Sequence, residues 1–200
     1  MRQIRQRLGE CLTSHANCQR LNPHIRPPRL IDVQSSGPDM VQLRLLDSTK
    51  FDPYAALSYC WGASQAIKTT LSSLIAHEAG IPVASLPQTL QDAIRVTREI
   101  GIDFLWIDSL YIIQDSPNEL AKEVANMSYY YGNALVTLSA SVSKSCSEGF
   151  LNGKGQPPPY ISGPFYFSIQ QHGRIENPAY LKFACQNVPV EAIDTRAWTL

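Results

Sequence analysis

The sequence predicts an α/β fold built on a parallel sheet with helices on its faces. Segments typical of strands and helices alternate between residues 54 and 141, in the order strand, helix, strand, helix, strand. Residues 104–107 form a continuous apolar run without alternation, as expected for a strand buried on both faces of a parallel sheet. The alternating order requires crossover helices that pack against that sheet. A chain of 200 residues with 44% hydrophobic content is long enough for one well-cored domain.

We predict that residues 1–28 form an N-terminal flank and that residues 29–200 form the domain, with its core at 54–141. The flank begins with a short helix and continues into a proline-rich stretch, which excludes regular structure. Its thiol and imidazole side chains are Cys11, His15, Cys18 and His24. Because their spacing matches no common zinc pattern, we predict no metal site.

Two short β-type runs, residues 30–33 and 41–46, precede the core. The segment Q-S-S-G-P-D between them has the turn chemistry of a hairpin loop, and we expect this hairpin to cover an edge of the main sheet. The first core strand lies in Y-A-A-L-S-Y-C-W-G, residues 54–62. Gly62 directly follows Trp61, and a glycine there lets the backbone turn sharply and approach a ligand closely.

The first core helix is predicted from Pro87 to about Ile100, with proline in the first turn and Gly101 just past the end. Its inward stripe consists of Leu90, Ala93, Ile94, Thr97 and Ile100. The second core helix is predicted at about 119–131, and the third strand follows at 134–140. The apolar seam of the second helix consists of Leu120, Val124, Met127 and Tyr131. A loop-rich extension is predicted at the C-terminus, with a loop at 153–159, a β-type run at 160–170 and the start of another element at 191–200.

Composition excludes several classes of partner. The seventeen basic and seventeen acidic residues cancel and form no basic run, so we expect neither nucleic-acid nor anionic-membrane binding. The charged N-terminal residues lack a signal-peptide core, and no later run is long enough to span a membrane. Five scattered cysteines, an odd number, favour reduced thiols. These features predict a soluble, cytoplasmic protein.

The carboxyl ends of parallel strands meet at one edge of a sheet, where open α/β sheets bind their ligands. The residues predicted to converge on that edge are Tyr59, Cys60, Trp61, Gly62, Asp108, Ser109, Ser139 and Ser141. Asp115, in the loop that follows the central strand, is a further candidate binding residue. Asp108 could bind a ribose hydroxyl or orient a catalytic group, or it could accept backbone N–H bonds in the loop, and the position favours neither. Tyr59 and Trp61 could stack on a nucleobase or nicotinamide, or they could be core residues.

Common catalytic motifs such as G-x-S-x-G, H-E-x-x-H and a phosphate-binding glycine loop are absent, so carboxylates are the candidate catalytic groups. Glu123 flanks the seam of the second helix, with Tyr130 on the same side. A carboxylate at that position could be aimed into a cleft and stabilise an oxocarbenium-like sugar. It could also simply pair with Lys122 or a surface arginine, which helix geometry alone favours.

Five blocks of the chain resemble the fungal heterokaryon incompatibility (HET) domain in order and approximate spacing. They are Y-A-A-L-S-Y-C-W-G (54–62), L-P-Q-T-L-Q-D-A-I (86–94), G-I-D-F-L-W-I-D-S-L-Y-I-I-Q-D (101–115), E-V-A-N-M-S-Y-Y-Y-G-N-A (123–134) and T-L-S-A-S (137–141). The final R-A-W-T-L (196–200) also resembles a later motif of that family.

This resemblance implies a fungal cytosolic module that triggers programmed cell death on non-self recognition and is usually joined to other domains. It also implies similarity to Toll/interleukin-1-receptor (TIR) domains, whose doubly wound sheet is flavodoxin-like. Some TIR domains hydrolyse NAD with a helical glutamate, whereas others only self-associate. NAD is therefore the expected substrate, and no permanently bound cofactor is expected.

The resemblance gives each candidate residue an expected role. Glu123 matches the glutamate ahead of the family's M-x-x-Y-Y block and would stabilise the cationic sugar. Asp108 and Ser109 would hold the ribose, with nicotinamide near Tyr59 or Trp61. The alternative is a non-enzymatic module that self-associates and recruits other proteins of an incompatibility pathway.

The chain departs from the family pattern at two positions. The family usually has cysteine where this chain has Tyr111, and a tryptophan is common near Leu120. If these positions shape the cleft, activity is expected to differ. The family pattern also continues beyond the final W-T-L, so we expect the chain to be truncated at its C-terminus.

Overall fold

The computed structural model describes residues 2–14, 25–47, 52–63, 67–141 and 143–151. The helices are α1 (Arg2–Ser14), α2 (Leu74–Ala79), α3 (Gln88–Ile100), α4 (Asp108–Tyr111) and α5 (Pro117–Asn133). The strands are β1 (Arg29–Asp32), β2 (Met40–Leu45), β3 (Tyr54–Ser58), β4 (Ile81–Pro82), β5 (Phe104–Trp106) and β6 (Val136–Ser139). Within these ranges no helix has the length and hydrophobicity needed to cross a membrane. The predictions for His15, Cys18, His24 and residues 153–200 lie outside the described residues.

The centre of the sheet is parallel, as the sequence predicts. β3 lies between β5 and β6 and pairs with both in parallel, so that Ala55 is in register with Leu105 on one side and with Val136 on the other. The carboxyl ends of these strands therefore lie at one edge of the sheet. The α/β fold class is confirmed.

The N-terminal hairpin covers the β5 edge of the parallel strands, as predicted, and does so by extending the sheet. β1 pairs antiparallel with β2, as predicted, and its other edge pairs antiparallel with β5. The short β4 adds to β2, which gives a mixed six-stranded sheet in the order β4-β2-β1-β5-β3-β6. A flavodoxin-like or TIR-like doubly wound topology stays a prediction.

Helices pack on both faces of the sheet, because successive strand residues point to opposite sides. Ala55, Leu57 and Leu105 belong to one hydrophobic core together with α3, called here the α3-side core. Ala56 and Trp106 belong to a second core together with α5, called here the α5-side core. The two central crossover helices thus cover different faces.

α3 follows its predicted pattern closely. All five residues of the predicted stripe are buried: Leu90, Ala93, Ile94, Thr97 and Ile100. The helix ends at Gly101, which adopts a left-handed conformation with φ of 80° and donates its N–H to the carbonyl groups of Thr97 and Arg98. Glycine is suited to this position because it has no side chain to clash in that region. α1 packs against this helix, since Arg5 Nε donates to the Glu99 carbonyl at 2.6 Å.

The predicted seam of α5 is wrong at Val124, whose side chain is 52% exposed. The helix instead turns Glu123, Tyr130 and Asn133 toward the protein. The spacing of apolar residues predicts that Glu123 flanks the seam and is not buried within it. Hydrogen bonds from other elements allow Glu123 to be buried, and a sequence pattern does not contain those partners.

Arg98 of α3 forms hydrogen bonds with the turn of the β1–β2 hairpin. Its guanidinium donates to four backbone carbonyl groups, those of Val33, Gly37, Pro38 and Met40. The planar fork of five N–H donors suits such a cluster of acceptors. One charged side chain therefore satisfies several carbonyl groups in and beside the hairpin turn.

We expect Arg98→Ala to lower the free energy of unfolding by roughly 2–3 kcal/mol, because charge-assisted hydrogen bonds to the turn are lost. Arg95→Ala is the matched control, since that arginine is exposed on the same helix and pairs with Glu99 in an i,i+4 ion pair. The control should cost under about 0.5 kcal/mol. Urea unfolding of both variants tests this, and equal losses would contradict the role of Arg98.

Candidate functional site

A cluster of polar and aromatic side chains lies where β3 and β5 end; we call Tyr59, Trp61, Asp108 and Ser109 the rim site. The indole Nε1 of Trp61 donates to Asp108 Oδ2 at 3.0 Å. Asp108 is 6% exposed, and its Oδ1 accepts the backbone N–H of Ser109 at 2.8 Å. The aspartate begins the short α4, so the end of β5 holds it beside the residues that follow β3.

The fourth side chain of the rim site is the phenol of Tyr59. Its hydroxyl donates to Ser109 Oγ at 2.9 Å, and the ring is buried in the α3-side core. Burial raises the pKa of Tyr59 well above its ordinary value, and the nearby negative charge of Asp108 raises it further. The phenol therefore stays protonated at neutral pH and acts as a hydrogen-bond donor.

Gly62 has a contact that explains its identity. It has φ of +84°, and a Cβ built on it would lie 2.7 Å from the Cβ of Ser145. Any side chain would collide with the segment 143–151, which we call the edge loop. In the described residues, the group that approaches Gly62 closely is thus part of the protein.

Asp115 binds the loop before α2. Its Oδ1 accepts the backbone N–H of Leu71 at 2.8 Å, which ties the loop before α2 to the loop before α5. The adjacent Gln114 N–H donates to the Thr69 carbonyl at 2.8 Å. This aspartate connects two surface loops.

Glu123 lies in a second network. The side chain is 2% exposed, and its Oε2 accepts hydrogen bonds from the hydroxyl groups of Tyr111 and Tyr130, the latter at 2.6 Å. Lys122 Nζ stands 3.7 Å from Oε1, so the predicted pairing with Lys122 is present alongside the burial. Burial raises the pKa of both tyrosines, and hydrogen bonding to Glu123 raises it further.

The two candidate catalytic carboxylates belong to networks on different faces of the sheet. Tyr111 and Tyr130, which hold Glu123, pack in the α5-side core. Tyr59 and Trp61, which accompany Asp108, pack in or against the α3-side core. The structure brings Tyr59, Trp61, Asp108 and Ser109 together, as the sequence predicts, but it does not bring Glu123 to them.

The two networks offer different chemistry. The rim site places the nearly buried carboxylate of Asp108 beside the half-buried indole of Trp61, a pair that can bind sugar hydroxyl groups and stack on a planar ring. Tyr59 and Ser109 are buried and support this pair. In the Glu123 network, the carboxylate is bound by two tyrosine hydroxyl groups. The ring of Trp106 packs beside it, with its centroid 6.0 Å from that of the Tyr130 ring. Within the described ranges, no cluster of three or more histidine, cysteine or acidic side chains is placed to bind a metal.

Sequence reasoning missed several polar residues that the structure uses. Tyr111 was not assigned as a partner of Glu123, because the two come from different elements and only packing of α4 against α5 brings them together. Thr89 and Asp92 are buried on the inward side of α3 and contact the edge loop. The available signal was an aspartate next to the apolar stripe of the block at 86–94.

Comparison with protein-family models gives one result. The model described as Heterokaryon incompatibility protein (HET) matches residues 54–200, which include the rim site, the Glu123 network and the edge loop. No curated protein and no solved structure matches the chain.

We expect stability to fall as the pH rises above about 10. Tyr59, Tyr111 and Tyr130 all have folded-state pKa values above the ordinary value of 10.0. Their contribution is complete below pH 10 and is lost above it, because the unfolded chain then releases protons that the folded chain retains. Each such tyrosine contributes a slope of about 1.4 kcal/mol per pH unit. Urea unfolding between pH 8 and 11.5 measures it, and Tyr111→Phe should make the slope shallower.

At neutral pH, Tyr111→Phe should lower the free energy of unfolding by about 1–3 kcal/mol, since a buried carboxylate loses one of its donors. Tyr129→Phe is the control, because that tyrosine lies on the exposed side of α5. Thermal unfolding compares the two variants. An equal, small effect of both would show that the Tyr111 hydroxyl does not stabilise Glu123.

Proposed function

This chain belongs to the heterokaryon incompatibility (HET) family, and we propose that it acts in fungal non-self recognition and programmed cell death by cleaving NAD at the rim site. Heterokaryon-incompatibility-type function follows from the family match. The reaction, its substrate and the cytoplasmic setting are parts of the proposal.

The observation that carries the proposal is the hydrogen bond between Trp61 Nε1 and Asp108 Oδ2 at the carboxyl edge of the parallel strands. It fixes a half-buried aromatic face beside a nearly buried carboxylate. Nicotinamide would stack on the indole of Trp61, while the ribose hydroxyl groups would bind Asp108. Ser109 is fully buried, and its backbone N–H would orient the Asp108 carboxylate. This edge is where open α/β sheets bind ligands.

The reaction is hydrolysis of the bond between nicotinamide and ribose. The bond from C1′ to the ring nitrogen breaks, and its electron pair leaves with nicotinamide. Water forms the new bond to C1′ and releases a proton to solvent, which yields ADP-ribose. The transition state has oxocarbenium character, and a nearby carboxylate stabilises it. Asp108 is the carboxylate that lies beside the aromatic face, so we assign it this role ahead of Glu123.

A second candidate function is supported by the Glu123 network. Glu123 is enclosed by Tyr111 and Tyr130, and Tyr111 stands where the family usually has cysteine. A carboxylate that packs inside a hydrophobic core together with the tyrosines that bind it serves structure more readily than catalysis. Asp108 is also nearly buried, but it differs in lying beside the half-buried indole of Trp61. On this reading the domain signals without chemistry, by self-association or by recruiting other proteins of an incompatibility pathway.

We expect the purified protein to release nicotinamide and ADP-ribose from NAD in equal amounts, with turnover measured at several protein concentrations. Asp108→Asn should lower kcat by roughly 10²–10³-fold, because stabilisation of the cationic sugar is lost. Asp103→Asn, which changes an exposed carboxylate just before β5, should have no effect. Glu123→Gln should retain kcat per folded molecule.

Two results would overturn parts of this assignment. Loss of turnover in folded Glu123→Gln, with activity kept in Asp108→Asn, would transfer the catalytic role to Glu123. Absence of nicotinamide release at every protein concentration would reject hydrolysis. Concentration-dependent self-association measured by light scattering on the same samples would then support the signalling function.

A further inference from the structure

We propose that Thr89 and Asp92 of α3 are positioning residues that hold the edge loop against Trp61 and thereby fix the indole of the rim site. Neither residue contacts the rim site directly. Their effect is transmitted through the edge loop, residues 143–151. The importance of this positioning for NAD rests on the function proposed above, whereas the contacts themselves do not.

Asp92 anchors the C-terminal half of the edge loop. Its side chain is only 4% exposed, and Oδ2 accepts the backbone N–H groups of Phe150 at 2.7 Å and Leu151 at 2.9 Å. The other oxygen, Oδ1, accepts from Gln88 Nε2 at 2.8 Å. Charge-assisted hydrogen bonds of this kind are about twice as strong as neutral ones. The carboxylate thus holds two successive peptide groups of the loop.

Thr89 anchors the middle of the same loop. Its backbone N–H donates to the Cys146 carbonyl at 2.9 Å, and its Oγ1 accepts the N–H of Gly149 at 3.2 Å. The first N–H groups of a helix have no partner within the helix, so the loop carbonyl satisfies one that α3 leaves open. The loop is in this sense the cap of α3.

The edge loop also contains hydrogen bonds between its own residues. Ser143 Oγ donates to the Gly149 carbonyl, and the backbone N–H of Lys144 donates to Glu148 Oε2 at 2.7 Å. Gly149 has φ of +72°, and a Cβ there would lie 2.5 Å from Gln88 Cγ and 2.7 Å from Asp92 Oδ2. Only glycine allows the loop backbone to come this close to α3.

The same loop contacts the rim site on its other side. The N–H of Cys146 donates to the Trp61 carbonyl at 3.4 Å, and Ser145 packs directly on Gly62. Residues 145 and 146 therefore contact both the start of α3 and the backbone of the rim residues. A continuous chain of contacts runs from Asp92 through the loop to Trp61 and on to Asp108.

The test observes Trp61 without any ligand. The chain contains three tryptophans, so fluorotryptophan labelling gives a ¹⁹F spectrum in which Trp61 is assigned from a Trp61→Phe sample. Asp92→Ala should shift or broaden the Trp61 signal under conditions where the protein is fully folded. The signal of Trp106, on the opposite face of the sheet, should stay in place.

Matched variants separate positioning from general destabilisation. Ile100→Ala is the control, because that residue is buried at the far end of α3 and should lower stability without moving the Trp61 signal. Asp92→Asn keeps one oxygen that can accept the loop N–H groups and should restore most of the native signal. If Asp92→Ala does not fold, Thr89→Val supplies the test, since it removes only the Oγ1 bonds and should give a smaller shift.

The Trp61 signal and NAD turnover are measured separately, so the positioning role can be upheld or overturned whether or not the protein hydrolyses NAD. An unchanged Trp61 signal in folded Asp92→Ala or Thr89→Val would overturn the positioning role. A changed signal without NAD turnover in the parent protein would uphold that role and reject the proposed hydrolysis. If the parent protein does turn over NAD, Asp92→Ala should lower kcat/KM by up to about 10²-fold, as a misplaced binding group does, and Asp92→Asn should recover most of it.

Discussion

The parallel pairing of β3 with β5 and β6 is the constraint on which the other features depend. Because the three strands run in one direction, their carboxyl ends lie at one edge, and the residues after them are brought together there. The hydrogen bond between Trp61 and Asp108 is a direct result, since it joins the segment after β3 to the segment after β5. Antiparallel pairing of these two strands would send the two segments to opposite edges.

The alternation of side chains along the strands has an equal effect on the candidate site. It gives the sheet two cores, and it separates Asp108, beside the α3-side core, from Glu123, within the α5-side core. A buried carboxylate is costly unless donors satisfy it, and Tyr111 and Tyr130 provide them. The two acidic residues that the sequence analysis assigned to one site therefore lie in separate hydrogen-bond networks.

α3 binds two irregular segments, the β1–β2 turn and the edge loop, through one charged side chain each. Near the C-terminal end of the helix, Arg98 donates hydrogen bonds to carbonyl groups in and beside the β1–β2 turn. At its N-terminal end, Asp92 collects N–H groups of the edge loop. Each charge meets the backbone groups of opposite polarity that a loop cannot satisfy by itself. The helix therefore orders two irregular segments, one of which borders the rim site.

The sequence by itself determined the order of the core elements β3, α3, β5, α5 and β6, the stripe and glycine end of α3, and the convergence of Trp61 with Asp108. These follow from local periodicity, from turn residues and from the geometry of parallel strands. The sequence did not predict α2, β4 or α4. Only the tertiary structure decided which side of α5 is buried, that Glu123 is enclosed, and that Asp92 holds a loop 58 residues further along the chain. The reason is physical: burial of a charge depends on donors from distant elements, and no local pattern contains them.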